Sequence, residues 1–362
     1  MPNLSAIQLR DPFIVADATT GIYRLYGTTA LGGPMEAPDG FTVRTSPDLR
    51  RWSEPRPVLS RSAGPAGADF FWAPEVHHYR GRWYLFASYG AGMNVVKPLA
   101  HYTAIHVAAT PDGPFAPHSD GPVTPLGWFC IDGTLHVDRQ EQAWIVFVRE
   151  WTQVVNGEIY AMPLSPDLRR PAGEPHLLFR ASSAPWSTRQ KSEYGEGYQV
   201  TDGPWVHRTA AGTLLLLWSS FGHGGYVTGI ARSLSGDITG PWEQAETPLF
   251  ATDGGHPMLF RDFDNRLLLT LHSPNRPMQE RVRLLPVQET AGCNAERRFE
   301  ARSKSILLSL YLYLSHSSSG RESQPDLTNA RERGAAHNDS LLVGRTRKAN
   351  NWILISLRII CV

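Results

Sequence analysis

Five short motifs, spread at intervals along the chain, carry residue types that can perform acid–base chemistry. They are Arg-Asp-Pro at 10–12, Trp-Ala-Pro-Glu at 72–75, Ile-Asp-Gly at 131–133, Thr-Asp-Gly-Pro at 201–204 and Asp-Gly-Gly-His at 253–256. An ionised carboxylate can take a proton from water, and a carboxyl group kept protonated by its surroundings can donate one. Each motif alone is also typical of a turn, because Asp-Gly and Asp-Pro are common turn sequences. Their recurrence favours a shared role in one site.

A repeated pattern of short strands follows these motifs. Residues 73–89, APEVHHYRGRWYLFASY, show it: an alternating strand, an Arg-Gly hairpin turn and a second, aromatic-rich strand. Related text recurs at 135–150, 205–220 and 258–273, and long amphipathic helical patterns are missing up to about residue 290. We count five units, at about 8–58, 69–120, 127–180, 198–250 and 252–290.

Five such units predict an all-β protein, a five-bladed β-propeller with an irregular C-terminal tail. Radial four-stranded sheets leave only short edges, whereas a two-sheet β-sandwich, the alternative, would not explain the regular repeat. The innermost strands of a propeller converge on its axis, so the five motifs are expected to meet at one mouth of the central channel. Clustered carboxylates raise one another's pKa. One ionised and one protonated carboxyl group are what glycoside hydrolysis requires.

With these motifs in place, residues 8–290 resemble glycoside hydrolase family 43, the five-bladed propeller arabinofuranosidases, xylosidases and their relatives. The resemblance depends on the order and spacing of RDPFIV (10–15), WAPEVHHYRGRWYLFASY (72–89), IDGTLHVD (131–138), VTDGPWVHR (200–208), GYVTGIARS (225–233) and GGHPMLF (254–260). It implies an inverting mechanism in which Asp11 is the general base. It also implies that Asp132 is the third carboxylate, which orients the acid and keeps its pKa raised.

The general acid departs from the family pattern. The family has a Glu in a Glu-Gly-Pro sequence, and the matching residue here is Asp202. Asp is one methylene shorter, which sets the proton donor back by about 1–1.5 Å, and such a displacement can cost ~10²-fold in rate. Three explanations stay open. Asp202 is the acid in a narrower site, Glu150 or Glu196 supplies the proton, or the protein binds sugar without cleaving it.

Several other residues are predicted to bind substrate or a metal ion. We assign Trp72, Glu75, Glu150 and His272 to substrate binding, with inter-blade packing as the alternative role of Trp72. His256 matches a family histidine that lies on the channel axis near a calcium or sodium ion. A structural calcium or sodium ion is therefore expected in the central channel, with no cofactor required for the chemistry. A hard cation prefers oxygen ligands, and the alternative is a hydrogen-bonded core histidine.

Composition narrows the classes of partner. The 35 Lys and Arg residues balance 34 Asp and Glu residues, whereas a nucleic-acid-binding protein needs clustered excess cations. Cys130, Cys293 and Cys361 have no spacing typical of a disulfide framework or a zinc site. The beginning of the sequence lacks a signal-peptide pattern, and no apolar run reaches the ~18 residues of a membrane span. We therefore expect a cytoplasmic protein whose partner is an oligosaccharide, with neither nucleic acid nor membrane. Its oligomeric state is left undetermined.

The repeat ends at about residue 290. The segment 291–362 is rich in Ser and Arg, contains two of the three cysteines and shows no blade pattern. We therefore predict a catalytic propeller at 1–290. For 291–362 we predict an atypical tail, disordered or translated out of frame, with a small genuine appendage as the alternative.

These observations predict a glycoside hydrolase acting on pentose-containing oligosaccharides. α-L-Arabinofuranosides are the first choice, and β-xylosides and galactofuranosides come next. One alternative is a related propeller enzyme, a fructoside hydrolase or a glycoside phosphorylase. Fructoside hydrolases have their Arg-Asp-Pro motif mid-chain, whereas here it begins at residue 10. The other alternative is a non-catalytic propeller that binds sugars.

Overall fold

The chain is built almost entirely from β-strands. The computed structural model describes residues 2–28, 40–92, 100–192, 195–289 and 357–359. Within these ranges the helical elements are short: α1 (Trp151–Val154) and three single 3₁₀ turns at Leu4–Ala6, Arg61–Ala63 and Ala181–Ser183.

Five four-stranded sheets follow one another along the chain, and the predicted five-bladed β-propeller is confirmed. Their strands are, for blade one, β1 (Arg10–Asp17), β2 (Ile22–Thr28), β3 (Gly40–Ser46) and β4 (Arg56–Ser60); for blade two, β5 (Phe70–Tyr79), β6 (Arg82–Ala91), β7 (Ala100–Ala108) and β8 (Ala116–Pro117); for blade three, β9 (Cys130–Val137), β10 (Ala143–Arg149), β11 (Glu158–Pro163) and β12 (His176–Arg180); for blade four, β15 (Asp202–Arg208), β16 (Leu214–Gly222), β17 (Gly225–Ser233) and β18 (Trp242–Gln244); and for blade five, β19 (Gly255–Arg261), β20 (Leu267–Ser273), β21 (Arg281–Glu289) and β22 (Leu357–Ile359). A small hairpin of β13 (Gln190–Ser192) and β14 (Gly195–Tyr198) stands between blades three and four.

The hairpin between β5 and β6 shows how the sequence determines a blade. Tyr79 pairs with Arg82, so only Arg80 and Gly81 form the turn. Both have positive φ, 47° and 79°, which is the backbone of a two-residue turn whose twist matches that of the flanking strands. The Arg-Gly turn predicted from the sequence is therefore present.

The innermost strands form a closed ring. β1 contacts β5, β5 contacts β9, β9 contacts β15, β15 contacts β19, and β19 contacts β1. Large apolar side chains fill the spaces between neighbouring blades: Phe41, Phe71 and Tyr89 pack together between blades one and two, and Trp186 packs on Trp218 beside blade four. Burying each such side chain stabilises the fold by roughly 1.5–3 kcal/mol.

Polar contacts join blade five to blade one. Gln8, just before β1, forms a bridge with Arg281 at the start of β21. The carboxylate of Glu280, whose side chain is 1% exposed, accepts hydrogen bonds from Arg10 Nη1 at 2.9 Å and Gln8 Nε2 at 3.2 Å. The first and last blades are thus held together by an ion pair as well as by packing.

Little of the C-terminal segment belongs to the described structure. β22 pairs in parallel with the end of β21 and gives blade five its fourth strand. The rest of the predicted tail at 291–362 lies outside the described residues, so its origin stays a prediction. No helix in the described part of the chain is long and apolar enough to cross a membrane.

Candidate active site

Each innermost strand contains one β-bulge near its beginning. The pairing register shifts at the same place in all five strands, and one residue there has positive φ. We call it the bulge residue; the five are Asp11 (φ 49°), Ala73 (φ 44°), Asp132 (φ 55°), Gly203 (φ 48°) and His256 (φ 57°). Pro or Gly follows each one, and Pro is tolerated where a bulge interrupts the ladder. Such backbone strain is found most often at functional sites.

The bulge explains why two neighbouring residues of each strand belong to the mouth. The residue before the bulge residue, here called the pre-bulge residue, is in blade order Arg10, Trp72, Ile131, Asp202 and Gly255. The first four are partly exposed, while Gly255 is buried. The predicted base and third carboxylate are therefore bulge residues, whereas the predicted acid is a pre-bulge residue.

Hydrogen bonds from the preceding blade anchor the bulges. In four blades the bulge N–H donates to a side chain on the second strand of the blade before it: Asp11 to His272 Nδ1 (3.2 Å), Ala73 to Thr28 Oγ1 (2.7 Å), Asp132 to Ser88 Oγ (2.7 Å) and His256 to Ser219 Oγ (2.9 Å). The bulge of blade four has no such anchor, because the residue at the equivalent position of the second strand of blade three, which pairs with Ile131, is the apolar Val148. The Gly203 N–H donates instead to Asp132 Oδ2 at 3.0 Å. The third carboxylate thus anchors the backbone beside the predicted acid.

Asp11 is held in its ionised form. Its Oδ1 lies 3.2 Å from His256 Nδ1, and its Oδ2 accepts a hydrogen bond from Thr28 at 2.7 Å. Burial favours the protonated carboxyl, but the electrostatic influence of His256 and Arg10 and the Thr28 hydrogen bond outweigh it and lower the pKa of Asp11 to about 2. Such a carboxylate is available as a proton acceptor at any ordinary pH.

His272 is hydrogen-bonded to the backbone of the predicted base, Asp11. Its side chain is fully buried, Nδ1 accepts the Asp11 N–H, and Nε2 lies 3.2 Å from Asn275 Oδ1. Burial lowers the pKa of His272 to about 4, which agrees with a neutral ring that carries its hydrogen on Nε2. We predicted substrate binding for His272, but both its nitrogens are bonded to protein, so the structure gives it a positioning role.

Asp202 and Asp132 form a proton-sharing pair. Their carboxyl groups are hydrogen-bonded to each other, and the hydroxyl of Tyr226 donates to Asp202 Oδ2 at 2.6 Å. Burial, the charge of Asp132 and the hydrogen bond with it raise the pKa of Asp202 well above its ordinary value. Burial, opposed by the bonds from Asp202 and Gly203, leaves the pKa of Asp132 at about 6. Asp202 therefore keeps its proton longest.

Glu150 is buried beside this pair and interacts electrostatically with both aspartates. Its carboxylate contacts His101 Nδ1, and the His101 ring meets the Trp72 ring edge-on, with centroids 5.2 Å apart. Burial raises the pKa of Glu150, and the His101 contact opposes this. Trp72 is half-buried at the mouth, so the two predicted binding residues are joined through His101. The other predicted proton donor, Glu196, has its side chain outside the described structure.

Glu75, predicted to bind substrate, is buried and contacts a histidine of its own strand. Its Oε2 is 2.9 Å from His77 Nε2. His77 contacts Phe13 and Trp205, and these two rings meet each other with centroids 5.6 Å apart. Blade four is not a neighbour of blades one and two, so this contact crosses the axis and narrows the channel. Glu75 is 6% exposed and bonded to His77, so it supports this layer, and its predicted contact with substrate stays a prediction.

The residues around His256 do not fit a directly bound cation. Asp132, Asp202 and His256 each offer a ligand atom, all within 4.8 Å of one another. However, Asp202 keeps a proton, Asp132 accepts hydrogen bonds from Gly203 and Asp202, and His256 Nδ1 faces Asp11. Hard cations require unprotonated oxygen ligands. Only a hydrated ion reached through Nε2 of His256 agrees with these contacts.

Five residues that contact the site were not predicted from the sequence: Thr28, Ser88, His101, Ser219 and Tyr226. Each of the two serines and the threonine is the polar residue that ends an aromatic or apolar run near the mouth end of a second strand, as in LYGT, LFAS and LLWS. That interruption is a usable signal. Tyr226 and His101 give no such signal, because their partners lie 24 and 49 residues away in the sequence.

The comparisons with known proteins concern the family and the fold. The family model described as "Glycosyl hydrolases family 43" matches residues 4–292. The crystal structure of an endo-arabinase from Bacteroides thetaiotaomicron covers 80% of this chain and 98% of its own, with 37% identity and a TM-score of 0.71. An endo-1,4-beta-xylanase from the same species and an alpha-L-arabinofuranosidase from Lactobacillus brevis each cover 78% of this chain and 91% of their own, with TM-scores of 0.60. Their identities are 24% and 19%, so they show the fold alone. No curated protein matches the sequence.

Proposed function

The chain belongs to glycosyl hydrolase family 43 and is a glycoside hydrolase, and from this premise we propose that it cleaves α-L-arabinofuranosidic bonds with inversion. The sugar is supported by the 37% identity with a protein described as an endo-arabinase. Arabinose-containing oligosaccharides are the substrate class. β-Xylosides and galactofuranosides are the competing substrates that the experiment below separates.

The observation that carries this proposal is the opposite protonation of two aspartates in one buried cluster. The pKa of Asp11 is lowered to about 2, and the pKa of Asp202 is raised well above its ordinary value. Two carboxyl groups whose surroundings separate their pKa values are the mark of a base and an acid that work together.

The proposed reaction uses both groups in one step. Asp11 takes a proton from a water molecule, whose oxygen attacks the anomeric carbon. The bond from that carbon to the glycosidic oxygen breaks, its electron pair stays on the oxygen, and Asp202 donates its proton there. Asp132 keeps Asp202 protonated until this moment, since its negative charge opposes ionisation of its neighbour.

We assign the acid to Asp202 and not to Glu150. Asp202 is partly exposed at the mouth, and its carboxyl group lies within 4.8 Å of His256, which in turn contacts the base Asp11 at 3.2 Å. Glu150 is buried and its carboxylate contacts His101. Glu150→Gln should therefore keep activity on substrates with a poor leaving group, whereas Asp202→Asn should lose it.

The partly exposed pre-bulge residues supply the sugar-binding surface. Trp72 offers an aromatic ring to the apolar face of a sugar. The guanidinium of Arg10 is fixed through Nη1 by Glu280, and among the described residues its Nε and Nη2 have no hydrogen-bond partner. These donors suit the hydroxyl groups of a pentose.

The test is hydrolysis of a panel of 4-nitrophenyl glycosides and linear arabino-oligosaccharides by the full chain. We expect turnover of the α-L-arabinofuranoside. Asp11→Asn should lose at least about 10²-fold on every substrate, whereas Asp202→Asn should lose at least about 10²-fold on the arabino-oligosaccharides, whose sugar leaving group needs the acid, and less on the 4-nitrophenyl glycoside. Asp264→Asn should show no loss. Asp264 is an exposed carboxylate that makes an ion pair with Arg266, so its variant controls for the change in net charge. The first-formed sugar anomer, followed by NMR, should be inverted; a retained anomer, or turnover of xylosides alone, would contradict the proposal.

Two further predictions concern the ion and the location. We propose that any calcium or sodium ion near His256 braces the mouth and takes no part in the chemistry. Treatment with EDTA, or exchange of sodium for potassium, should lower the melting temperature while leaving kcat at saturating substrate unchanged.

We also propose a cytoplasmic location, which cell fractionation with an antibody would test.

A further inference from the structure

Tyr226 makes a contact with the acid that no assigned role explains. It lies on β17, the third strand of blade four, yet its hydroxyl donates to Asp202 Oδ2 on the innermost strand at 2.6 Å. Its side chain is 1% exposed. A buried tyrosine hydroxyl needs a partner, and this one has a catalytic carboxyl group.

The ring of Tyr226 is closely packed by residues of blades four and five. A Cβ atom on Gly255 would lie 2.3 Å from Tyr226 Cε1 and 2.6 Å from Cδ1. Gly255 is the pre-bulge residue of blade five, so the missing side chain there provides the space that the ring fills. The ring is stacked on His272 with an interplanar angle of 16°, and it contacts Phe221. The hydroxyl is therefore held at Asp202 by two blades.

The hydroxyl of Tyr226 acts only as a donor. Burial, together with the charge of Asp202, raises the pKa of Tyr226 well above its ordinary value, so the phenol stays protonated. Since its proton points to Oδ2 of Asp202, that oxygen is occupied as an acceptor. The proton of Asp202 is then favoured on Oδ1.

We propose that Tyr226 is a positioning residue for the general acid, which keeps the transferable proton on Oδ1 and stabilises the carboxylate that forms as this proton leaves. The proposal rests on the proposed function, with Asp202 as the acid. A hydrogen bond to a carboxylate is about twice as strong as one to a neutral group. Because this gain appears only during proton transfer, it lowers the barrier and does not tighten substrate binding.

The same contact accounts for Asp in place of the family's Glu. The Tyr226 hydroxyl already lies at hydrogen-bond distance from the shorter side chain. A Glu at this position would carry its carboxyl group about 1.5 Å further along, so the packed phenol and the longer acid could not keep this bond together. Tyr226 and Asp202 thus form one unit, and Asp202→Glu should lower activity.

The experiment measures kcat for aryl glycosides of the sugar identified by the panel, with leaving groups from 2,4-dinitrophenol to phenol. A poor leaving group needs the acid, whereas 2,4-dinitrophenolate leaves without it. We expect Tyr226→Phe to lower kcat by about 10- to 100-fold on the phenyl glycoside, the loss of one hydrogen bond to a charged group. On the dinitrophenyl glycoside kcat should change less than about twofold, with KM unchanged on both.

Tyr89→Phe is the matched control. Tyr89 is also fully buried, and its hydroxyl bonds to His106 Nδ1 at 3.3 Å, within blade two. This variant should show no dependence on the leaving group. A loss in Tyr226→Phe that is equal for all leaving groups would indicate a purely structural role and overturn the proposal.

A double-mutant cycle keeps the test independent of folding defects. If Tyr226 acts through Asp202, then Tyr226→Phe should have no further effect in an Asp202→Asn background, whereas additive losses would overturn the proposal. Should Tyr226→Phe fail to fold, Gly255→Ala, which pushes on the ring and keeps the hydroxyl, should show the same leaving-group dependence. Its added methyl group also presses on Ser219 Oγ, which anchors His256, but a disturbance there, on the side of the base, would not depend on the leaving group. A steep dependence for Asp202→Asn with none for either variant overturns only this inference. No dependence for Asp202→Asn overturns the acid assignment as well.

Discussion

At the scale of single residues, three aspartates acquire three different pKa values, and that of Asp132 is raised to about 6. Asp11 faces His256 and Arg10, and its pKa falls to about 2. The carboxyl group of Asp202 faces that of the buried Asp132, and burial and this charge raise the pKa of Asp202 well above its ordinary value. The groups that cause these shifts come mostly from other blades, so the protonation states are a property of the closed ring. They give each aspartate its part in the proposed mechanism.

Removing the charge of Asp132 should move the alkaline limb of the pH profile. That charge, next to burial the largest cause, raises the pKa of Asp202. In Asp132→Asn the pKa of Asp202 should fall, so its proton is lost at lower pH and the alkaline limb of kcat/KM shifts to lower pH. Asp264→Asn, with the same change in net charge at an exposed position, should leave the limb in place. An unchanged or raised alkaline limb in Asp132→Asn would contradict the assigned pair.

The raised pKa of Asp202 should also make the free energy of unfolding fall as the pH rises. The pKa of Asp202 is higher in the folded chain than in the unfolded one. Between these two values the folded state binds more protons, so its stability falls with increasing pH, by up to about 1.4 kcal/mol per pH unit. Asp202→Asn removes this effect and keeps a hydrogen-bond donor. We expect its unfolding midpoint in urea to exceed that of the wild type at pH 8 and to approach it near pH 4; a gap that narrows with rising pH would show the opposite linkage.

At the scale of elements, the five bulges position the site. The residue pattern alone predicted the blades, because strands and turns have local signals such as the alternation of apolar and polar residues and the Arg80-Gly81 turn. The recurrence of acidic motifs at the start of each blade then predicted the mouth. It did not distinguish Asp202, which precedes its bulge, from Asp11, which lies on one. The Pro or Gly that follows every bulge residue was the available sign. The anchors Thr28 and Ser88 each end an apolar run, but the sequence did not show what they bond, since their partners Ala73 and Asp132 lie in the next blade.

Ser88 provides a test of the anchoring. Its Oγ accepts the Asp132 N–H at 2.7 Å and is fully buried. Ser88→Ala leaves that buried N–H without a partner, which should cost about 1–3 kcal/mol in the free energy of unfolding, and kcat should fall because Asp132 is less well held. Ser62→Ala, at an exposed serine whose hydroxyl lies 3.0 Å from that of Ser60, should stay within about 0.5 kcal/mol. Equal urea midpoints for the two variants would show that the bulge needs no such anchor.

At the scale of the whole propeller, the mouth depends on how the ring is closed. The aromatic contact of Phe13 with Trp205 crosses the axis beneath the carboxylates, so the site has a floor made by non-neighbouring blades. The join between blades five and one includes Arg10 and Glu280. Arg10 is also the pre-bulge residue beside Asp11. Ring closure and the proposed binding of substrate therefore depend on one side chain.

Glu280→Gln should affect stability and substrate binding together. The side chain of Glu280 is 1% exposed and that of Arg10 33% exposed, so the released guanidinium can partly hydrate and the loss should be moderate, about 1–2 kcal/mol. KM should rise because Arg10 is no longer fixed, and unfolding should stay a single transition, since all blades share the ring. Asp120→Asn is the contrast. It breaks the exposed pair with Arg169, in which both side chains are 45% exposed, and surface pairs contribute only about 0–1 kcal/mol. If Glu280→Gln raised KM without lowering the unfolding midpoint, Glu280 would serve only to orient Arg10, and packing alone would close the ring.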